Sequence, residues 1–134
     1  MLVSPQTFPQ QQLEGVVESM TDLMLSSNGI GLAANQIGTS RRFFIYQIKK
    51  GVVDIVVNPV IKEKSEETFQ SPEGCLSLPG EEVIVPRHEW IIVRGMTYDN
   101  KPRQMRVTGY LASVFQHEID HLDGRLITDY VGVA

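Results

Sequence analysis

The chain has 134 residues, 42% apolar and 21% charged, which suits one domain with its own core and excludes disorder. A net charge of −4 with no long basic run disfavours a nucleic-acid partner, although a site can carry a local field of its own. The single cysteine, Cys75, excludes an intramolecular disulfide and hence a secreted disulfide scaffold. The opening MLVSPQTFPQQQLEG lacks a charged start followed by an apolar core, so no signal peptide is expected. No apolar run approaches the ~20 residues needed to span a bilayer.

Residues 1–9 read as an extended arm. From residue 10 to 27, Leu13, Val16, Val17, Met20, Leu23 and Met24 recur at helical spacing, and Asn28-Gly29 ends that helix. GIGLAANQIG follows, its small residues suited to a backbone that something else approaches closely. RFFIYQI (42–48) and VVDIVVNPVI (52–61) are β-branched and aromatic and predict strands, with KKG as the turn between them. KEKSEETFQ reads as a strand end and exposed turn. SPEGCLSLPG reads as a loop, with Leu76 and Leu78 alternating in a short extended piece. EEVIVP, HEWIIVRGMTYD and RQMRV predict further strands, with residues 99–101 as a turn. TGYLASVFQHEIDHLDG predicts a helix of about four turns, with Thr108 as N-cap and Gly124 as stop. RLITDYVGVA is a short tail. There is no repeat and no linker. The expectation is therefore a single α+β domain over residues 1–134. In it, mostly antiparallel sheets surround a closing helix, with one further helix near the N-terminus.

Two of the three histidines fall in QHEIDHLDG. On a helix His117 and His121 lie on one face, and Glu118 lies close to it. Two imidazoles for an ion and a carboxylate to take a proton from water form the chemical content of an HExxH pattern. The competing reading is a pair of ordinary helix histidines. Asp120 falls elsewhere on the helix, as a surface charge or as a group that orients another residue. His88 is read as an ordinary histidine near a sheet end, and Arg87 as facing a bound peptide or, the preferred reading, holding a strand end. A catalytic zinc-type site takes three protein ligands and a water, and the helix offers no third histidine. Cys75 is a candidate, against the alternative of a small buried hydrophobe.

Three motifs in order carry a resemblance. GIGLAANQ (29–36), EGCLS (73–77) and QHEIDHL (116–122) resemble GxGxAAxQ, EGCLS and QHExDHL of the peptide deformylase family, over about residues 13 to 130. The resemblance implies removal of the formyl group from N-formylmethionyl peptides, with release of formate. It implies one divalent ion on Cys75, His117 and His121, with Fe2+ in the cell and Zn2+ or Ni2+ in purified protein. Glu118 is then the general base and acid, and Gln36 with the backbone N–H of Leu76 forms the oxyanion hole. Gly29, Ile30, Gly31 and Gly74 would line the cleft against an extended peptide. Ile30, Tyr110, Ser113, Val114 and the edge of His117 would line a methionine pocket. Residues 110, 113, 114 and 117 share a helix face, whereas Leu111, Phe115 and Leu122 read as core.

The expected partners are formylmethionyl peptides and nascent chains at the ribosome, with no direct nucleic-acid or membrane binding. The expected protein is a monomer in the cytoplasm of a bacterium or a virus-infected host cell, or in an organelle. The chain departs from many members in a shorter start and in ending at Ala134, a compact form at both termini. Glu81 and Glu82 stand where some members have a basic residue that contacts substrate, which bears on later peptide positions. Two other readings compete: a zinc endopeptidase using HExxH, which would not call for the cysteine of EGCLS, and a non-catalytic binding domain, against which Glu118 argues.

Overall fold

The first four residues of β2 (Phe43–Lys49) alternate between two hydrophobic cores, and that alternation organises the molecule. In the computed structural model, which describes residues 10–27, 29–37, 42–75 and 78–130, Phe44 and Tyr46 face one core and Phe43 and Ile45 the other. The side chains of residues 10–14, 36, 37, 75, 78, 79, 81, 128 and 130 lie outside that description. The expected N-terminal arm also falls outside the described residues.

Strand β1 (Gly31–Ala33) pairs with β2, and β2 with β3 (Val52–Lys64). Next come β6 (Trp90–Met96) and β7 (Pro102–Thr108), giving a five-stranded antiparallel sheet in the order β1-β2-β3-β6-β7. Strands β4 (Thr68–Cys75) and β5 (Leu78–His88) form a separate two-stranded ribbon. Helix α1 (Gln10–Ser26) covers one face of the sheet, burying Met20 and Met24 against Leu32, Phe43, Ile45, Ile55 and Val57. Helix α2 (Gly109–Leu122) covers the other, packing Phe115, Ile119 and Leu122 among Phe44, Tyr46, Val56, Ile91 and Val93. It also touches β5, so α2 lies between the sheet and the ribbon. This is the expected α+β architecture. No helix among the described residues is long and apolar enough to cross a membrane.

Two local expectations change. SPEGCLSLPG is not a loop up to Cys75: residues 68–75 are strand β4, paired from Thr68↔His88 to Glu73↔Val83. Its inward positions Ser71 and Glu73 are polar because they meet polar partners, so apolar alternation does not mark the strand. Thr108 is the N-cap of α2 by position, as expected, but its side chain makes no cap bond; it ends β7 in extended geometry. Gly109 makes the turn instead, at φ 63°, with its N–H donated to Glu89 O at 2.9 Å. The other end of α2 follows expectation. Gly124, at φ 82°, donates to His121 O at 3.0 Å and Arg125 donates to Asp120 O at 2.8 Å, which is a Schellman closure.

Candidate metal centre

Helical spacing brings the Nε2 atoms of His117 and His121 to 3.1 Å from one another. Their rings stand 4.8 Å apart at 64°, edge to face. Both side chains are buried. Ligand atoms of His117, Glu118 and His121 all lie within 4.8 Å of one another, a cluster that could hold a metal ion.

The two imidazoles are oriented by what holds the rest of the helix. His117 Nδ1 donates to Glu73 Oε1 at 2.7 Å, so its proton sits on Nδ1 and Nε2 keeps its lone pair. Burial pushes the Glu73 carboxyl up, but bonds from Arg87 and His117 and the Arg87 charge outweigh it and hold the pKa at about 2. Arg87 forks onto that carboxylate, Nε to Oε2 at 2.8 Å and Nη2 to Oε1 at 2.7 Å, and reaches Asp120 Oδ2 with Nη1 at 2.6 Å. Asn35 donates to His121 O at 2.6 Å, tying the GIGLAANQ segment to the helix. Gln116 exchanges two bonds of 2.9 Å with the backbone of His88.

Gly31 of that segment has a steric reason. A Cβ at Gly31 would lie 2.8 Å from Glu118 Oε2 and 3.1 Å from Val114 Cγ1. Only glycine lets β1 and α2 approach this closely while the carboxylate keeps its place. Gly29 and Ile30 accept bonds from Gln47 Nε2 at 2.7 Å and Gln47 N at 2.8 Å, which fixes them beside β2 at the sheet edge. The Ile30 side chain is exposed.

Of the remaining expected residues, Tyr110 is exposed and lines a cavity of about 540 Å³ with Phe69, Ser71, Pro72, Trp90 and Gly109. Ser113 is buried and its hydroxyl donates to Tyr110 O. Val114 belongs to the core under α2. Gly74 is exposed on β4, next to Cys75 at that strand's end. The side chains of Cys75 and Gln36, and all of Leu76, lie outside the described residues. Glu73 carries no role in the sequence-based expectation; of the two roles expected of Asp120 the orienting one fits its bond to Arg87, and Arg87 itself is expected only to face a peptide or hold a strand end. The one available signal was a pair of charged residues, Glu73 and Arg87, in stretches otherwise read as loop and strand.

Two imidazoles and a carboxylate converging from one helix of an α+β fold could hold a metal ion, the arrangement that a hydrolase of the metal-assisted kind uses. Known proteins agree. The sequence profile of the polypeptide deformylase family matches residues 3–133. Peptide deformylase 2 of Streptomyces avermitilis is 43% identical over 124 residues, covering 90% of this chain and 67% of that one. The peptide deformylase of Orientia tsutsugamushi is 35% identical over 143 residues, covering 96% and 78%. A probable peptide deformylase from Synechococcus phage S-SSM7 superposes with a TM-score of 0.91 at 35% identity, covering 97% and 90%. The enzyme from Thermus thermophilus superposes with 0.88 at 40% identity, covering 95% and 75%. This chain belongs to the peptide deformylase family, hydrolases that remove the N-formyl group from nascent peptides.

Proposed function

We propose that Cys75, His117 and His121 hold one divalent ion in this chain and that Glu118 moves the protons of deformylation. The observation that carries the reading is the convergence of the two Nε2 atoms at 3.1 Å, with Glu118 beside them. The donor set fits: imidazoles with a carboxylate behind one of them, and a cysteine in EGCLS, suit Fe2+, Zn2+ or Ni2+. When bound, the ion supplies Lewis acidity that brings the pKa of water from about 16 toward about 7. Glu118 takes a proton from that water and later delivers it to the leaving amine. Gln36 and the Leu76 N–H stabilise charge on the formyl oxygen.

The substrate is placed by backbone and by an apolar pocket. The segment Gly29, Ile30 and Gly31, at the sheet edge, and Gly74 on the ribbon flank an extended peptide. Ile30, Tyr110, Ser113 and Val114 take the methionine side chain, a reading that rests on the resemblance and on the shared helix face of residues 110, 113 and 114. Fe2+ is the proposed ion in the cell. The proposed setting is a cytoplasmic monomer acting on chains emerging from the ribosome, without direct contact to nucleic acid.

Protein purified without oxygen is assayed for metal content and for formate release from formyl-Met-Ala-Ser, beside an internal-peptide-bond substrate. Formate release that tracks bound iron is expected. Cleavage of only the internal bond would overturn the reading in favour of an endopeptidase.

A further inference from the structure

The ribbon that ends in Cys75 is a two-stranded sheet of its own, not a continuation of the five-stranded sheet. Its seating against α2 therefore depends on side chains. Arg87, 3% exposed, stands at that junction on β5. Its acceptors both belong to elements that carry proposed ligands. Glu73 lies two residues before Cys75 and binds His117 Nδ1. Asp120 lies between His117 and His121. Glu73 Oε1 receives Arg87 Nη2 and His117 Nδ1, each at 2.7 Å, so the arginine fork fixes the oxygen that fixes the imidazole.

We propose that Arg87 is a positioning residue for the metal centre, holding the cysteine-bearing ribbon and the histidine-bearing helix in the one register that lets them share an ion. This rests on the ligand set given above. Its geometry needs a planar fork: three N–H groups reach Glu73 Oε2, Glu73 Oε1 and Asp120 Oδ2 at 2.8, 2.7 and 2.6 Å. A lysine ammonium carries the same charge but no such fork, so Arg87→Lys separates positioning from charge balance. Partners standing behind a metal ligand typically matter by about 10–100-fold in metal affinity.

The test uses full-length protein reconstituted with Zn2+, and with Co2+ for its visible spectrum. Zinc release to a chromophoric chelator, thermal midpoint, kcat and KM are measured for wild type and for Arg87→Lys, Asp120→Asn and Val57→Ala. The last trims the core beneath α1, away from the centre. Arg87→Lys is expected to release zinc about tenfold or more faster and to alter the cobalt spectrum, with KM within about twofold of wild type. Asp120→Asn, which leaves the Glu73 fork in place, is expected to fall between the two. It carries the test if Arg87→Lys does not fold. Val57→Ala is expected to lower the midpoint without changing release. The proposal is overturned if Arg87→Lys and Asp120→Asn keep zinc as wild type does, or if Val57→Ala speeds release as much as they do. Wild-type protein that binds no zinc would overturn the ligand set and this proposal together. An active, zinc-retaining wild type with an equally retentive Arg87→Lys would overturn the positioning role alone.

Discussion

Glu118 sits against the glycine backbone of β1, with no room for a Cβ between them. That fit separates its proton-carrying role from metal holding, because a glutamine has the same shape but no basic oxygen. Glu118→Gln should therefore retain metal at wild-type stoichiometry while formate release falls by about 10²–10⁴-fold. Metal analysis beside a formate assay reads both, and unchanged turnover would remove Glu118 from the proton pathway. His117, Glu118 and His121 are legible in sequence because helical periodicity alone relates them. Glu73 and Arg87 are not, because their roles arise from contacts 44 residues away to His117 and 33 residues away to Asp120. No local pattern distinguishes such a buried charge from one on a solvated strand end. Cys75 is legible only through the motif around it, since a lone cysteine has no spacing rule to obey.

At the scale of elements, α2 shows how far end signals can be trusted. Its C-terminus closes through a glycine at positive φ, and the hydrogen bonds of Gly124 and Arg125 obey a rule readable from the letter G. Its N-terminus is made by tertiary placement: Thr108 is held in β7 by pairing with Trp90, and its hydroxyl makes no cap bond. The two ends should respond differently. Gly124→Ala forces an alanine into the left-handed region and should destabilise by about 1–2 kcal/mol. Thr108→Ala should change stability by less than about 0.5 kcal/mol, the range of an ordinary surface position, rather than the ~1 kcal/mol of a lost cap. Urea unfolding of both variants at one pH decides the matter, and a large loss at Thr108 would restore the capping role. Strand β4 is the converse case: its inward side meets charge instead of oil, so the β-branched and aromatic run that reveals β2 is missing. The pairing partner on β5 makes it a strand.

At the scale of the whole molecule, the sheet and α2 meet around one aromatic group. Tyr46 lies 4.6 Å from Phe115 and 6.1 Å from Phe44, and its hydroxyl donates to Asp54 Oδ2 at 3.0 Å. Arg103 Nη1, on β7, reaches the same oxygen at 3.1 Å, so one carboxylate on β3 links β2 to β7. Burial, and then the Asp54 charge and hydrogen bond, push the Tyr46 hydroxyl up from 10.0 to about 12, against a smaller opposing pull from Arg103. A folded-state pKa above the unfolded value means that the native protein keeps a proton the unfolded chain gives up. The stability so contributed is fully present below about pH 10 and is lost as pH rises through about 12. The wild-type urea midpoint should fall across that interval. In Tyr46→Phe this component should vanish: the variant starts lower, having lost a buried hydrogen bond, and then declines less steeply. Since Tyr46 packs directly on the helix that bears both histidines, near-ultraviolet dichroism and metal release should follow the same alkaline transition. Parallel slopes for the two proteins between pH 10 and 12 would place the alkaline weakness elsewhere than in this hydroxyl.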